Sequence, residues 1–379
     1  MPKMISFILS LLLLTSCAGV ASFQTSQSSP PKTLQSNPKH IALMVPLSGP
    51  YASAGKAVRD GFLSAYYSVK PTTDSPTIVR VYDTGSGRSI RDLYQNAMAE
   101  NADIIVGPLQ KDEVNQLAKL APQVPVIALN YPKEARQLPQ GFYEFGLSPI
   151  NEAMQTADRV LRDGHHQAIL IYPKNTWGTT IANAYVKTFQ QQGGKVVGNI
   201  AYSDNENFDA TIRDYFQVVP CPRNKHNCQA QRRQDFDAIF VVATPQKAQQ
   251  IIPMLHFYYL GDIPTYSIAS IYQGTPDQAT YRDMDGVQFG DFPWIINNNP
   301  QLQTASQQLN RSTPDPFVNP IRLYALGIDA YALVNQLSQL ATTPGANYNG
   351  ATGTLYVNNQ QVLRQLSWAK FRDGLVTGI

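Results

Sequence analysis

Short apolar runs alternate with amphipathic segments along most of the chain, and the first such pair is the clearest. Ile41 to Val45 is wholly apolar and ends in a Pro-Leu-Ser-Gly-Pro turn, which predicts a buried strand. Apolar residues then recur at three- and four-residue spacing from Ala54 to Tyr66, which predicts a helix that Ser53 is placed to cap. Together these segments predict the first βα unit of an open parallel sheet.

The same alternation continues through two successive rounds. Further strands are predicted at residues 77–82, 103–106, 125–129, 142–146, 168–172, 195–202, 238–243 and 264–268, and helices at 90–99, 112–121, 151–163, 179–192, 208–216 and 245–258. The later chain is less regular, with a strand and loop at 287–295, a long helix at 320–340 and a hairpin at 350–366. This pattern predicts an α/β fold with two doubly wound parallel-sheet lobes.

Residues 1–16 have the pattern of a bacterial lipoprotein signal peptide. Lys3 precedes an apolar run from Ile5 to Leu14, which at roughly ten residues is too short to span a bilayer. The sequence Leu-Thr-Ser-Cys then ends at Cys17, so this cysteine is predicted to be the acylated first residue of the mature chain. The alternative is an ordinary signal peptide with a chance cysteine.

Composition divides the remaining chain into a tether and a folded part. Residues 17–39 are rich in Ser, Gln, Pro and Thr, which predicts a flexible tether. Residues 40–379 are too many for one ordinary core and suit two lobes. The formal net charge is only +3, and the basic residues around Arg223 and Arg232 lack interleaved aromatics, which argues against a nucleic-acid surface.

Two further cysteines, Cys221 and Cys228, lie in a polar loop. An even remainder of cysteines in an exported protein predicts a disulfide between them, worth roughly 2.5 kcal/mol on the chain-entropy description. A zinc site is the alternative because His226 lies between the two cysteines, but no fourth ligand has regular spacing.

Motifs for catalysis are missing from the sequence. It contains no HExxH, GxSxG or Walker A motif, and Gly85-Ser86-Gly87 lacks the lysine and the spacing of a phosphate loop. The pair His165-His166 is more simply explained as a helix end. We therefore predict no catalytic residues, no metal and no cofactor, and an enzyme is the least supported function.

A binding cleft is the better hypothesis, because doubly wound sheets bind ligands beyond the carboxyl ends of their strands. The residues predicted to follow those ends carry hydroxyls, amides and aromatic rings, which suit a sugar or a peptide. They are Ser48, Tyr51, Ser53, Thr84, Gln110, Asn130 and Tyr131 in the first lobe, and Trp177, Tyr202 and Thr244 in the second. The alternative is that these are ordinary turn residues.

Three segments carry a specific resemblance to a known family. VPLSGPYASAGKAVRDGFLSAYY at 45–67, AENADIIVGPLQKDEVNQLA at 99–118 and APQVPVIALN at 121–130 resemble the LppC or LpoA lipoproteins, the penicillin-binding protein activator family. The order of elements is similar to that of type I periplasmic binding proteins as far as Ile379. The resemblance therefore implies the type I periplasmic-binding-protein fold, with two lobes joined by a three-crossing hinge.

The resemblance also implies a division of the chain. Residues 1–16 are the signal peptide, 17–39 the tether, 40–148 plus 271–319 lobe 1, and 149–270 plus 320–379 lobe 2. The chain is expected to cross between the lobes near Ser148, Ser270 and Asn319. The long helical-repeat domain that many members place before this fold is not matched, since only residues 18–39 separate the predicted anchor from the first strand.

In function, the resemblance implies a non-catalytic lipoprotein that binds and activates a class A penicillin-binding protein and so regulates peptidoglycan synthesis. Ala18, rather than an aspartate, follows the predicted lipid anchor, which in such families favours the periplasmic face of the outer membrane. The alternative is a periplasmic solute-binding lipoprotein that presents a small ligand to a transporter or sensor.

One departure from the binding-protein pattern limits the ligand. The resemblance implies that amino-acid binders carry Ser or Thr donors after the third and fourth strands, where they hold a carboxylate. Here those places read Pro108-Leu109-Gln110 and Asn130-Tyr131. A free amino acid is therefore not the expected ligand, although another small molecule is still allowed.

Overall fold

The computed structural model of the chain describes residues 33–34, 37–69, 76–132, 137–219, 231–309 and 319–379. Cys17, Cys221 and Cys228 lie outside these residues, so the lipid anchor and the disulfide stay predictions. The predicted signal peptide at 1–16 and most of the predicted tether also lie outside them.

Strands and helices alternate through the described residues. The strands are β1 (His40–Val45), β2 (Ile78–Asp83), β3 (Ile104–Val106), β4 (Val126–Ala128), β5 (Phe142–Phe145), β6 (Gln167–Pro173), β7 (Lys195–Tyr202), β8 (Ala238–Val241), β9 (Thr265–Ser267), β10 (Gln288–Asp291), β11 (Tyr348–Asn349), β12 (Thr354–Asn358), β13 (Gln361–Gln365), β14 (Ser367–Arg372) and β15 (Leu375–Gly378). The helices are α1 (Ala52–Ser68), α2 (Ile90–Ala99), α3 (Lys111–Lys119), α4 (Pro149–Arg162), α5 (Thr176–Gln191), α6 (Phe208–Tyr215), α7 (Pro245–Phe257), α8 (Gln278–Tyr281), α9 (Pro293–Ile296), α10 (Pro300–Leu309) and α11 (Pro320–Thr342). None of the helices in this part of the chain is both long enough and apolar enough to cross a bilayer.

The strands form two mixed sheets. The first has the order β11-β12-β13-β5-β4-β3-β1-β2, and the second has the order β15-β14-β10-β9-β8-β6-β7. Pairing is parallel from β2 through β1, β3, β4 and β5 to β13, and antiparallel where β12 and β11 are added. Helices cover both faces of each sheet, which confirms the predicted α/β class.

The late strands join different sheets from those predicted. Residues 271–319 were predicted to belong to lobe 1, but β10 within this segment pairs with β9 in the second sheet. Residues 320–379 were predicted to belong to lobe 2, but β13 within this segment pairs with β5 in the first sheet. The prediction was wrong for these strands because local periodicity identifies a strand but not the distant strand with which it pairs.

The strand pairings also locate the passages between the sheets. The chain leaves the first sheet after Phe145, returns to it between Asp291 and Tyr348, and leaves again between Gln365 and Ser367. Ser270, a predicted crossing, instead lies between β9 and β10, which are neighbours in the second sheet, because its short 3₁₀ turn connects two strands of one sheet.

Helices α1 and α11 cross so closely that glycine is required on both. A Cβ atom on Gly61 would lie 1.9 Å from the carbonyl oxygen of Tyr324. A Cβ atom on Gly327 would lie 2.1 Å from the carbonyl oxygen of Val58. This contact fixes α11, which follows β10 of the second sheet, against α1, which follows β1 of the first sheet.

A buried arginine holds the start of α11 to the end of β10. The guanidinium group of Arg322 donates to both carboxylate oxygens of Asp291, with Nε 3.2 Å from Oδ1. It also donates to the carbonyl oxygens of Ala269 and Tyr272, at 3.2 and 3.1 Å. Arg322 and Asp291 are almost fully buried, and burial raises the pKa of Asp291 although the arginine acts in the opposite direction.

A second buried arginine lies where β13 leaves the first sheet. Arg364 is 3.7 Å from Glu152 on α4, and its guanidinium carbon lies 4.9 Å from the centre of the Phe292 ring. Gln155, also on α4, donates to the carbonyl oxygen of Arg364 and accepts from the amide of Leu366, both at 2.9 Å. These contacts join the passages after β5, after β10 and after β13 in one buried cluster.

Arg322→Ala is expected to lower the free energy of unfolding by about 3–5 kcal/mol, because it leaves the Asp291 carboxylate buried without its partner. The matched control is Arg80→Ala, which removes an ion pair of 2.6 Å between two half-exposed side chains, Arg80 and Glu100. The control is expected to cost about 0–1 kcal/mol. Urea unfolding of a soluble form beginning at Lys39 measures both values, and equal losses would contradict the assignment of Arg322 as the main tie.

Candidate functional site

The carboxyl ends of β1, β2, β3 and β4 meet at one edge of the first sheet, because these strands are parallel neighbours. The carboxyl ends of β6, β7, β8 and β9 meet in the same way at one edge of the second sheet. In open α/β sheets, ligands bind beyond such edges. The loops that follow these strands are therefore the candidate cleft.

Asp83 organises the loop after β1. Its carboxylate accepts from the amide of Leu47 at 2.7 Å, from the hydroxyl of Ser48 at 2.7 Å and from the amide of Gly85 at 2.8 Å. Desolvation opposes ionisation, but these hydrogen bonds together lower the pKa of Asp83 below its ordinary value. A Cβ atom on Gly85 would lie 2.1 Å from the Ser48 carbonyl oxygen. The Ser48 hydroxyl is thus bonded within the chain.

The helix after this loop begins differently from the prediction. Helix α1 has Tyr51 at its N-cap, and no side chain caps it. Ser53 lies in the first turn, so the predicted capping by Ser53 was wrong. The turn is closed by the backbone instead, with the amide of Ala52 donating to the carbonyl oxygen of Gly49 at 3.2 Å. The Tyr51 side chain is 54% exposed at this edge.

Glu113, which sequence reasoning missed, lies in the first turn of α3 beside the predicted residues Thr84 and Gln110. The side-chain amide of Gln110 donates from Nε2 to Glu113 Oε1 at 3.0 Å. The buried hydroxyl of Thr84 faces the same carboxyl group but completes no hydrogen bond of normal geometry. Burial and repulsion from Asp112 and Asp83 raise the pKa of Glu113 to about 7, although Thr84 and Gln110 act in the opposite direction. The acidic first turn of a helix next to a strand end was the only signal for it.

The two residues after β4 are occupied by contacts within the protein. Asn130 donates to the carbonyl oxygen of Leu109 and accepts from the amide of Tyr131, both at 2.9 Å. The Tyr131 hydroxyl donates to the carbonyl oxygen of Gly146 at 3.3 Å, on the first passage between the sheets. Burial raises the pKa of Tyr131, whereas the charge of Arg364 acts in the opposite direction. Tyr131 therefore links the sheet edge to the buried cluster.

At the second sheet, two predicted residues are exposed and one is not. Trp177 is 38% exposed in the first turn of α5, and Thr244 is exposed at the N-cap of α7 without a side-chain hydrogen bond. Tyr202 is only 2% exposed, and its hydroxyl donates to the carbonyl oxygen of Val242 at 2.9 Å. Its ring packs on Phe208, with centroids 5.4 Å apart. Its placement in the cleft was wrong because the last side chain of β7 points into the core.

The candidate cleft thus has few polar groups available for a ligand. Ser48, Gln110, Asn130 and Tyr131 all hydrogen-bond atoms of their own chain. The exposed members are Ser48, Tyr51, Trp177 and Thr244, and Ser53 is partly exposed. Within the described part of the chain, no three His, Cys, Asp or Glu side chains are grouped as metal ligands. The two edges offer two exposed aromatic rings and the hydroxyl groups of Ser48, Ser53 and Thr244 rather than a charged clamp.

Comparison with protein families places the whole folded part in one group. Residues 32–374 match the profile of the family named "LppC putative lipoprotein". The relative named penicillin-binding protein activator LpoA in Haemophilus influenzae is 30% identical over 357 residues, covering 91% of this chain and 56% of that protein. The protein of the same name in Vibrio antiquarius is 28% identical over 350 residues, covering 88% of this chain and 57% of that protein. The chain spans a little more than half the length of these curated relatives.

Solved structures give the same result. The C-domain of Haemophilus influenzae LpoA, titled a regulator of PBP1A, matches with a TM-score of 0.72 and 27% identity, covering 90% of this chain and 99% of that one. Full-length LpoA from the same organism matches with a TM-score of 0.73 and 27% identity, over 91% of this chain and 59% of that one. An R. palustris solute binding protein with bound 4-hydroxybenzoate matches with a TM-score of 0.52 and 13% identity over 90% of this chain and 95% of that one, which shows the fold alone. The predicted resemblance and fold are confirmed.

Glu113→Gln is expected to change how stability depends on pH. Because the pKa of Glu113 is raised from 4.5 to about 7, the folded state holds a proton that the unfolded state releases, so stability falls as the pH rises through that window. The glutamine variant lacks this fall and is expected to gain stability relative to the parent near pH 8 but not near pH 5.

The matched control is Glu206→Gln, because hydrogen bonds from Thr211 and Ser203 lower the pKa of Glu206. The stability from Glu206 is present above its unfolded pKa and is lost as the pH falls, so this control is expected to lose stability at neutral pH. Urea midpoints across the pH range measure both, and parallel curves for the parent and Glu113→Gln would contradict the shifted pKa.

The candidate cleft is expected to bind no small wall fragment, sugar or amino acid, since most of its polar groups are already hydrogen-bonded. A thermal-shift screen with these three classes of compound measures this, because a ligand that binds the folded state raises the melting temperature. One saturable stabilising compound would contradict the expectation. If Trp177→Ala then weakened that binding at least several-fold, as loss of a stacked ring does at about 1–3 kcal/mol, the exposed tryptophan would be its contact.

Proposed function

Because the chain belongs to the LppC lipoprotein family, we propose that it is a non-catalytic outer-membrane lipoprotein that binds and activates a class A penicillin-binding protein. In this role it regulates peptidoglycan synthesis by contact with the synthase. The curated relatives are longer than this chain. The proposal therefore rests on the part of their sequence that the chain shares with them.

One observation carries the proposal. The chain aligns with 99% of the C-domain of a protein titled a regulator of PBP1A, at an identity that supports more than a shared fold. The relatives of similar sequence are named penicillin-binding protein activators. The match includes both sheets and the passages between them, which together form the whole described fold.

The mode of action follows from what the cleft lacks. Four of its predicted polar side chains are hydrogen-bonded within the chain, which disfavours activation by a bound small molecule. Contact between protein surfaces is the supported mode, with a buried area of roughly 1,200–2,000 Å² in total. The activator then changes the synthase by binding it, without chemistry of its own.

The anchor belongs to the same proposal. Acylation of Cys17 supplies several chains, and each buried methylene adds about 0.8 kcal/mol to membrane binding, so the protein is held stably. Ala18 directs it to the outer membrane, on the periplasmic face. The predicted tether before the first strand, taken as a flexible chain, corresponds to a mean reach of roughly 25 Å from the membrane.

A soluble form beginning at Lys39 is expected to raise glycan polymerisation or transpeptidation by the class A synthase of the same cell. Polymerisation of lipid-linked precursor and crosslinking of the product measure the two activities, and heat-unfolded protein is the control. Trp177→Ala and Thr244→Val are expected to activate fully, because the contact lies outside the cleft. If no class A synthase of the cell binds at micromolar concentration, the proposal fails and the solute-binding alternative gains.

A further inference from the structure

A groove opens at the outer edge of the first sheet, far in sequence from the candidate cleft. It has a volume of about 410 Å³ and lies between the C-terminal end of α11, the loop that follows it, and strand β12. Leu340, Ala346 and Val357 supply apolar surface, and Tyr356 at its rim is 39% exposed. None of the side chains that line it carries a charge. We call it the α11 groove.

One wall of the α11 groove is a strand edge that the neighbouring strand leaves open. Strand β11 has two residues and pairs only with Leu355 and Thr354 of β12. The amide of Gly350 donates to the carbonyl oxygen of Gly353 at 2.9 Å. Because such pairs recur at every second residue of an antiparallel strand, Leu355 and Val357 of β12 also direct their backbone groups toward the β11 side.

By this alternation, the amide and carbonyl groups of Val357 point into the groove. Ala346 would be the opposite residue if β11 were longer. Its amide instead donates to the carbonyl oxygen of Thr343 at 3.1 Å, which turns the chain away from β12. The edge therefore accepts an added strand at Val357.

The other wall is the negative end of a long helix. Helix α11 runs for 23 residues and has no basic residue in its last turn. The last carbonyl groups of a helix have no intrahelical donors, and together they carry about half a negative charge. The amide of Thr343 bonds the carbonyl oxygen of Gln339 at 3.0 Å, and the Thr342 hydroxyl bonds that of Ser338 at 2.8 Å. Leu340, Ala341 and Thr342, the last three residues of α11, line the groove.

We propose that the α11 groove binds an extended segment of a partner protein that carries a lysine or arginine side chain. The segment adds a strand at Val357, and its basic side chain lies against the C-terminal end of α11. Main-chain pairing supplies the affinity, and the helix end selects the charge. The chemistry of the occupant rests on the groove alone, whereas its identification with the synthase rests on the proposed function.

Substitution of Thr342 separates charge recognition from damage to the fold. Thr342 is exposed in the last turn of α11. Thr342→Lys gives the helix end a cation of its own and is expected to weaken binding of the occupant about three- to ten-fold. Thr342→Glu adds no cation at the helix end, so this variant is expected to bind the occupant as well as the parent or better. The glutamate itself interacts unfavourably with the negative end of the helix.

Ser68 provides a matched control. It ends α1, which also lacks a basic residue in its last turn, and its hydroxyl donates to the carbonyl oxygen of Ser64 at 2.6 Å, as that of Thr342 does to Ser338. Ser68→Lys and Ser68→Glu are expected to leave binding unchanged. If they change binding as the Thr342 pair does, the effect is one of net charge and the proposal is overturned.

The first measurement uses blocked peptides as probes, so that it does not depend on the synthase. The peptide Thr-Val-Lys-Val-Thr is expected to shift the methyl NMR signals of Leu340, Ala346 and Val357, and Thr-Val-Glu-Val-Thr is not. Absence of shifts with the lysine peptide, or equal shifts with both, would overturn the proposal. If the protein self-associates and Thr342→Lys abolishes that self-association, the occupant of the groove is a second copy of the chain. This result would also overturn the proposal.

The second measurement is binding to the immobilised class A synthase, which needs no catalytic readout. Weaker binding of Thr342→Lys, with full binding of Thr342→Glu, supports the groove as the synthase contact. If all variants bind the synthase equally, the proposed function stands and the groove is not its contact. If the lysine peptide binds in the groove but the synthase binds nowhere, the groove inference stands and the proposed function fails.

Discussion

The two sheets depend on a small set of buried charges where the chain passes between them. Arg322 neutralises Asp291 and bonds two carbonyl groups, and Arg364 lies beside Glu152 and over the ring of Phe292. A buried ion pair adds little net stability over an apolar pair, but removing one partner is costly. The cluster is therefore better understood as a constraint on geometry, since these opposite charges come together only when all three passages are in place.

That geometry reaches the surface through rigid contacts. The Tyr131 hydroxyl donates to the carbonyl oxygen of Gly146 on the first passage, so this bond fixes the edge of the first sheet relative to the hinge. Asp329 on α11 accepts from the amides of Ala351 and Thr352, at 2.7 and 2.8 Å, and so fixes the turn that leads into β12. Burial raises the pKa of Asp329 to about 6, although the Thr352 hydroxyl and these amides act in the opposite direction. The α11 groove is thus built on elements that the hinge itself positions.

Local patterns predicted most strands and helices, because the spacing of apolar residues reports which face is buried. They did not predict that β10 pairs in the second sheet and β13 in the first, since strand pairing is a long-range contact. Tyr202 was misplaced because the end of a strand was taken as exposed, whereas its side chain points into the core. Glu113 was missed because a shifted pKa arises from burial between elements, and no local motif encodes that burial. The family resemblance, carried by long contiguous segments, was the most reliable sequence signal.

The contrast between the two candidate surfaces follows from hydrogen-bond satisfaction. A ligand must replace bonds that a site already makes with its own chain, so the edge of the first sheet, where Ser48, Gln110 and Asn130 are internally bonded, gives little net gain. At the α11 groove, β11 ends before it reaches the position opposite Val357, and α11 ends without a basic residue in its last turn. A partner chain that pairs with Val357 forms directed main-chain hydrogen bonds beside apolar surface, in place of hydrogen bonds to water. A fold that is also found in ligand-binding proteins can in this way have an internally bonded cleft and still present a strand edge to a protein partner.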